Sequence, residues 1–181
     1  MPIEIRPASA DDEPAITQIR HETWLTAYAQ IIDPEIISSL TASGRPPSTA
    51  DRDGVVAVAP PGEASAEGRM IVGYASYGPE RNVASSEPGA LTPAGLAGET
   101  GELYTLYVTK AHWSTGVGRE LTEAALDGLR AAGYRQIVLW TLTGNARARR
   151  FYDKAGFAPD GAVNLLPGLG GAEELRYRRD L

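Results

Sequence analysis

The chain lacks several residues on which common kinds of catalytic and structural sites depend. Its 181 residues include no cysteine, which excludes a disulfide scaffold, a thiol nucleophile and a cysteine zinc site. His21 and His112 are isolated from each other in the sequence, so they do not predict a metal site. No apolar run approaches membrane-spanning length, and the start has no apolar signal core. These absences favour a cytoplasmic enzyme or binding protein that uses no metal and no membrane.

The residues that are present suit one globular domain, but their charge is unevenly distributed. Apolar residues make up 43% of the chain and charged residues 22%. The net charge of −6 argues against a dedicated nucleic-acid binder. Residues 110–154 nevertheless carry +4, which leaves −10 on the remainder. A polyanionic ligand of limited size would suit this basic segment, although Arg147, Arg149 and Arg150 equally suit a solvated helix face.

Hydrophobic periodicity predicts an alternation of helices and strands. Helices are expected to begin near residue 10, at Asp33, at Gly116 and at Asn145, each with a capping residue or an apolar stripe. Strands are expected at 3–6, 55–58, 70–77, 102–108, 136–141, from 157 and at 174–178. Residues 41–54 and 60–68 should form loops. Residues 79–101 exceed the usual connection length and form either a functional lid or a disordered segment.

The most informative stretch is Glu102–Leu121, where a strand leads through a glycine turn into a helix. Gly116 and Gly118 permit a tight turn, and the free N–H groups of the next helix form an anion site suited to pyrophosphate, to which Arg119 could add an ion pair. A Rossmann fingerprint needs a third glycine where this chain has Leu121, and a P-loop needs Gly-Lys-Ser/Thr, which this chain lacks. The turn therefore does not match a dinucleotide site or a nucleotide-triphosphate site. Plain alternation along this strand puts Leu103, Thr105 and Tyr107 on one face. It puts Tyr104, Leu106 and Val108 on the other face.

Two motifs in this region resemble those of the GNAT N-acetyltransferase superfamily. The loop resembles motif A, Gln/Arg-x-x-Gly-x-Gly/Ala, as Trp113-Ser114-Thr115-Gly116-Val117-Gly118, and follows a similar strand, Leu106-Tyr107-Val108. Motif B, Asn-x-x-Ala-x-x-x-Tyr-x-x-x-Gly-Phe, is matched by Asn145, Ala148, Tyr152, Gly156 and Phe157. One departure is clear: Trp113 replaces the usual Gln/Arg, loses a polar side-chain contact and puts a bulky ring near the cofactor.

The resemblance implies a fold, a co-substrate and a set of ligands for it. The expected fold is a single α/β domain over residues 1–181, with a GNAT-like, mixed and mostly antiparallel sheet flanked by helices. The co-substrate is acetyl-CoA, held where two central strands diverge. Homodimers are common in the family, so a homodimer is one assembly that the resemblance implies. The implied cofactor-binding residues are Leu106, Tyr107, Val108, Trp113, Ser114, Thr115, Gly116, Val117, Gly118, Arg119, Asn145 and Tyr152.

The implied reaction is direct acetyl transfer to an amine of a small molecule or peptide. By resemblance, Tyr152 donates to the departing thiolate, and a backbone N–H near Leu106–Tyr107 meets the oxyanion. Most of an alkylamine is protonated at neutral pH, so a general base is useful. Glu102 is the candidate base, with a solvent-facing structural glutamate as the alternative.

Two questions have alternative answers: which residues line an acceptor pocket, and whether the protein is an enzyme. Trp24, Tyr28 and Tyr104 either line an acceptor pocket or pack in the core. The competing function is a non-catalytic GNAT-fold sensor that binds acyl-CoA, which the departure at Trp113 keeps open. A third interpretation, transfer from another acyl-CoA, would differ only in the volume of the acyl pocket.

Overall fold

The computed structural model describes residues 3–42, 53–60, 70–81 and 99–181. In these ranges a seven-stranded sheet is flanked by four α-helices. The strands are β1 Glu4–Pro7, β2 Asp53–Ala59, β3 Met70–Pro79, β4 Thr100–Val108, β5 Gln136–Leu142, β6 Ala158–Leu166 and β7 Ala172–Asp180. The helices are α1 Glu13–Ala27, α2 Pro34–Ala42, α3 Val117–Ala131 and α4 Ala146–Lys154, with short 3₁₀ helices at Ala10–Asp12, Lys110–His112 and Pro167–Leu169.

The sheet has the order β1-β2-β3-β4-β5-β7-β6. Only β4 and β5 run parallel, and every other neighbouring pair is antiparallel. Two parallel neighbours need a crossover connection, and α3 supplies it between them. The mixed, mostly antiparallel sheet that the sequence predicted is confirmed.

The parallel pair is joined along only part of its length. Thr100–Leu103 pair with Gln136–Leu139, and β4 then continues to Val108 without further pairing to β5. Meanwhile β4 remains paired with β3 as far as Val108. The sheet therefore opens between its two central strands, and the side chains at this opening can be reached from both faces.

A bulge in β4 corrects the predicted sidedness of that strand. Ser76 and Tyr77 are consecutive on β3, but their partners are Thr105 and Leu103, so Tyr104 is the extra residue. A bulge shifts the alternation of side chains by one position. As a result Leu103 packs in the same core cluster as Leu106 and Val108, whereas Tyr107 packs in another. The prediction that Leu103 and Tyr107 share a face was wrong, because plain alternation allows for no extra residue.

The main core lies between the sheet and α3. An apolar stripe at helical spacing buries Val117, Leu121, Ala125, Leu126 and Leu129. The stripe ends before Ala132, which is the exposed C-terminal cap. On the opposite face α1 buries three residues through one stripe, namely Ile16, Ile19 and Thr23.

The predicted elements are present, with shifted ends. The first helix is preceded by a 3₁₀ turn, α2 runs to Ala42, and β6 begins one residue after Phe157. Most of the predicted loops at 41–54, 60–68 and 79–101 lies outside the described residues. In the described ranges no helix combines the length and the apolar character needed to span a bilayer.

Close packing of α3 on β3 makes Gly128 a sensitive position. A Cβ built there would lie 2.2 Å from the Tyr77 hydroxyl oxygen and 2.6 Å from its ring. We expect Gly128→Ala to lower the free energy of unfolding by about 1–3 kcal/mol, because overpacking outweighs the better helix propensity of alanine. Urea denaturation measures this. In a Tyr77→Ala background the same change should be neutral or stabilising, and an equal loss in both backgrounds would contradict the explanation.

Candidate functional site

A cavity of about 520 Å³ occupies the opening between β4 and β5. Its walls come from the end of α1, from both strands, from the loop after β4, from the first turn of α3 and from the length of α4. The lining residues are Thr23, Ala27, Tyr28, Leu103, Tyr104, Thr105, Leu106, Tyr107, Val108, His112, Trp113, Ser114, Gly116, Gly118, Arg119, Trp140, Thr141, Asn145, Arg147, Ala148, Arg150, Phe151, Tyr152 and Lys154.

The glycine turn forms one wall through its backbone. Gly116 has φ +102° and caps α3, and Ser114, two residues earlier, has φ +64°. Left-handed backbone of this kind suits glycine and is uncommon for serine. A Cβ on Gly116 would meet nothing within 4 Å, so its conformation, rather than crowding, favours glycine there. The first N–H groups of α3 have no partner within the helix and are available to an anion.

Trp113 has a defined place in this wall. Its indole N–H donates to the Val108 carbonyl at 2.8 Å, which ties the loop to the end of β4. The Arg147 guanidinium lies over its ring, 4.1 Å from the centroid, and donates to the Ser114 hydroxyl at 3.3 Å. The contacts therefore place a cation from α4 against the glycine loop.

Four cationic side chains line the cavity near this loop: Arg119, Arg147, Arg150 and Lys154. Over residues 3–42, 53–60, 70–81 and 99–181, no carboxylate forms an ion pair with any of them. Arg149 is turned away and donates instead to the Tyr177 hydroxyl and the Thr143 carbonyl, each at 3.3 Å. The sequence left open whether Arg147, Arg149 and Arg150 bind a ligand or form a solvated helix face. Arg147 and Arg150 line the cavity, whereas Arg149 does not.

Asn145 caps α4 at the edge of the same cavity. Its side-chain oxygen accepts from the Ala148 N–H at 3.0 Å, which confirms the predicted N-cap. The amide N–H₂ takes no part in that bond. The cap therefore fixes the side chain while leaving its donors for a ligand.

Tyr152 is both a core residue and a cavity residue. Its ring packs edge-on against Phe151 and Phe157, with centroids 5.3 and 5.9 Å away, and the residue is 9% exposed. Burial raises the pKa of its phenol, and the nearby Tyr107 adds to this. The Tyr152 hydroxyl therefore stays protonated near neutral pH and can act as a hydrogen-bond donor.

The backbone of β4 also presents donors to the opening. The Thr109 N–H donates to the Val72 carbonyl at 2.9 Å, which makes this a hydrogen-bonded pair of the β3–β4 ladder. Because such pairs alternate along an antiparallel ladder, Tyr107 also directs its backbone groups towards β3, and Leu106 and Val108 direct theirs towards the opening. Of the two residues predicted for the oxyanion, Leu106 is thus the one whose N–H faces the cavity.

Aromatic side chains form the opposite end of the cavity. Tyr28 and Tyr104 line it, as does Trp140, which the sequence analysis did not identify. Trp24 stands behind Tyr28, edge to face with centroids 5.3 Å apart. Tyr104 donates to the Pro79 carbonyl at 2.6 Å and lies under the Arg81 guanidinium, 4.4 Å from the ring centroid.

Glu102 does not line the cavity. It is completely buried in β4, where its carboxylate forms an ion pair with the Arg81 guanidinium. The same carboxylate accepts from the Arg81 backbone N–H at 2.8 Å and from its Nε at 3.1 Å. In this arrangement it cannot take a proton directly from a molecule in the cavity, so its role as general base stays a prediction.

The structure thus brings most of the predicted site residues to one cavity. Those that do not line it are Glu102, Trp24, Val117, which is buried in the core, and Thr115, whose hydroxyl donates to the His112 carbonyl at 2.8 Å. Arg147 and Arg150, for which a ligand role and a solvated helix face had both been open, line the cavity. Lys154, Trp140 and Thr141 line it without having been predicted. For Lys154, its spacing from Arg147 and Arg150 on α4 was an available signal, but Trp140 becomes a wall only because β5 separates from β4.

Comparisons with known proteins give one family and one fold. The acetyltransferase (GNAT) family matches residues 15–157. A mycothiol acetyltransferase of Beutenbergia cavernae is 47% identical over 60 residues, 33% of this chain and 20% of that protein. The uncharacterized N-acetyltransferase YuaI of Bacillus subtilis is 25% identical over 145 residues, 79% of this chain and 73% of that protein.

A solved structure extends the likeness of the fold over the whole chain. The PaiA N-acetyltransferase of Thermoplasma acidophilum, crystallised in complex with coenzyme A, superposes with a TM-score of 0.71 over 100% of both chains at 19% identity. By contrast, the chain spans only about a fifth of the length of the mycothiol acetyltransferase it matches.

The buried Glu102 depends on Arg81 for compensation of its charge. We expect Arg81→Ala to lower the free energy of unfolding by about 1–3 kcal/mol, because a buried carboxylate loses its main partner. Glu102→Gln should cost less, since half-exposed Arg81 can then be hydrated. Urea denaturation of both variants checks the order, and a larger loss in Glu102→Gln would contradict it.

Proposed function

The chain belongs to the acetyltransferase (GNAT) family, and we propose that it transfers the acetyl group of acetyl-CoA directly to an amine of a small molecule or peptide. The observation that carries this proposal is one continuous cavity at the β4–β5 opening, with cations and helix N–H groups at one end and aromatic residues at the other. A phenol, Tyr152, lies on the same cavity. Both substrates could therefore meet within one site, without a covalent enzyme intermediate.

The residues present fit the phosphates of acetyl-CoA. The N–H groups at the start of α3 and the cations Arg119, Arg147 and Lys154 supply positive charge without a competing carboxylate in the described residues. A second depression of about 480 Å³ shares Arg119, Phe151 and Lys154 with the main cavity and adds Arg179 together with Glu123, which pairs with it at 3.8 Å. We assign the diphosphate to the glycine loop and the nucleotide end to this depression.

The chain supplies hydrogen-bond donors at two reacting atoms. Bound acetyl-CoA provides an activated thioester carbonyl. The Leu106 N–H faces the opening and is the proposed donor to the oxyanion that forms on amine attack. The Tyr152 hydroxyl is the proposed donor to the departing sulfur. Because burial raises the pKa of Tyr152, we favour donation of a hydrogen bond over complete transfer of its proton.

While Glu102 is paired with Arg81, it does not accept the proton of the amine. Within the described ranges, no carboxylate lines the cavity. We propose that water carries the proton from the amine, and that Glu102 could act as base only after Arg81 withdraws from it. The acidic remainder of the chain, with a net charge of −10, supports a cationic acceptor. A cytoplasmic location completes the proposal, because its co-substrate is a metabolite of the cell interior.

Thiol release on mixing acetyl-CoA with a library of amines tests the proposed activity directly. Release that depends on an amine would support the transferase. Binding of CoA without turnover of any amine would favour the non-catalytic sensor instead. Comparison of acetyl-CoA with longer acyl-CoA esters in the same assay measures the acyl-chain preference.

Arg147 should contribute to binding of the diphosphate. We expect Arg147→Ala to weaken CoA binding by about ten- to a hundredfold, because it removes a charge-assisted hydrogen bond worth about 1.5–3 kcal/mol. Isothermal titration calorimetry measures this effect. Arg130→Ala is the matched control, since Arg130 lies on α3 outside the cavity and pairs with Asp127 at 2.7 Å. Equal affinity in Arg147→Ala and the wild type would contradict the assignment.

Tyr152 should contribute to turnover more than to binding. We expect Tyr152→Phe to lower kcat by about ten- to a hundredfold, the loss of a hydrogen bond to a charged atom, while CoA affinity stays near that of the wild type. Because the folded-state pKa of Tyr152 is raised, the phenol remains protonated past its ordinary value near 10. The wild-type rate should therefore show no decline from this group between pH 7 and 9. An unchanged kcat in Tyr152→Phe would remove the proposed role.

A further inference from the structure

Several hydroxyls at the cavity have no task in the mechanism above; that of the half-buried Tyr107 is one, and that of Thr23, buried without a hydrogen-bond partner in the described residues, is another. The side chain of Tyr107 belongs to the core cluster of Ile16 and Tyr74, on the face opposite the cluster that contains Tyr152. Both phenols nevertheless line the cavity, because the sheet is open between β4 and β5. Tyr107 also contributes to the raised pKa of Tyr152, which agrees with this proximity.

Trp24 fixes the direction of the Tyr107 hydroxyl. The indole N–H of Trp24 donates to the Tyr107 hydroxyl oxygen at 3.3 Å. An indole N–H is a donor only, so the Tyr107 oxygen is the acceptor in this bond and its own proton points elsewhere. Within the described residues that proton has no acceptor among the hydrogen bonds of the chain. Burial raises the pKa of Tyr107, so the proton is present at neutral pH.

We propose that the Tyr107 hydroxyl, oriented by Trp24, is a specificity-determining donor that binds an oxygen atom of the acceptor close to its nucleophilic nitrogen. The acceptor class is then an amine with a hydroxyl, ether or carbonyl oxygen two or three atoms from the nitrogen, such as an amino alcohol, an amino sugar or an α-aminoacyl group. A buried donor discriminates against a ligand that leaves it without a partner. This inference rests on the proposed acetyl transfer to an amine and narrows its acceptor.

The test compares two acceptors that differ by one atom, 2-methoxyethylamine and n-butylamine, or any amine accepted from the library and its analogue with methylene in place of oxygen. The ratio of their kcat/KM values is measured with acetyl-CoA. We expect the wild type to prefer the oxygen-containing amine, and Tyr107→Phe to reduce the ratio by about three- to tenfold, as befits one neutral hydrogen bond. Any difference in basicity between the two amines affects every variant equally. A change in the ratio from one variant to another therefore reports on the enzyme.

Two further variants separate orientation from general damage to the core. Trp24→Phe should reduce the ratio in part, and it should have no further effect in a Tyr107→Phe background, because both changes remove the same interaction. Tyr74→Phe is the matched control. Tyr74 is 3% exposed and pairs with Tyr107 across the ladder, but it does not line the cavity. Its ratio should equal that of the wild type.

The outcomes separate a failure of the role of Tyr107 from a failure of the proposed acetyltransferase activity. A ratio unchanged in Tyr107→Phe, with turnover intact, would overturn the role of Tyr107 and leave the acetyltransferase assignment standing. The same would follow if the amines used best had no oxygen near the nitrogen. Absence of turnover with every amine would overturn both. CoA affinity equal in Tyr107→Phe and the wild type would show that the effect belongs to the acceptor.

Discussion

The separation of β4 from β5 after Leu103 and Leu139 is the constraint on which the rest of the site depends. A fully paired sheet would place the clusters of α1 and α3 on opposite sides of a continuous layer. Because the pairing stops, side chains from both faces reach one cavity, and the Leu106 backbone has β3 on one side and the cavity on the side towards β5. The bulge at Tyr104 adds to this arrangement by resetting which side chains of β4 face α3.

The two ends of the cavity are built by different physical means. One end combines helix N–H groups with cations that lack acidic partners in the described residues, an arrangement suited to phosphate. Trp113 fits this end because its ring supports the Arg147 guanidinium and its indole N–H ties the loop to Val108. A residue that departs from its family's motif thus contributes through stacking in place of a direct polar contact. The other end is lined by the aromatic residues Tyr28, Tyr104 and Trp140.

Buried charge is compensated locally around the site. Glu102 is enclosed by Arg81, and Arg176 bridges Glu80 and Asp160 at 3.1 and 2.7 Å. Glu80 and Arg81 directly follow β3, so their ion pairs with Arg176 and Glu102 fix that end of the strand against β7 and β4. Burial also raises the pKa of Glu174, which the Asn164 amide partly offsets by donating a hydrogen bond at 2.9 Å. These carboxylates accordingly have structural partners.

The sequence by itself determined the order of elements, the glycine turn, the Asn145 cap and the positions of motif B, because helix periodicity, capping and positive-φ glycines are local properties of the chain. It also indicated that a basic segment accompanies the turn. Only the tertiary structure decided that Glu102 pairs with Arg81, that Arg147 stacks on Trp113, and that Tyr107 and Tyr152 line one cavity from opposite faces of the sheet. These contacts join residues that are distant in the chain, and they depend on where β4 bulges and where its pairing with β5 ends, which no local pattern of residues records.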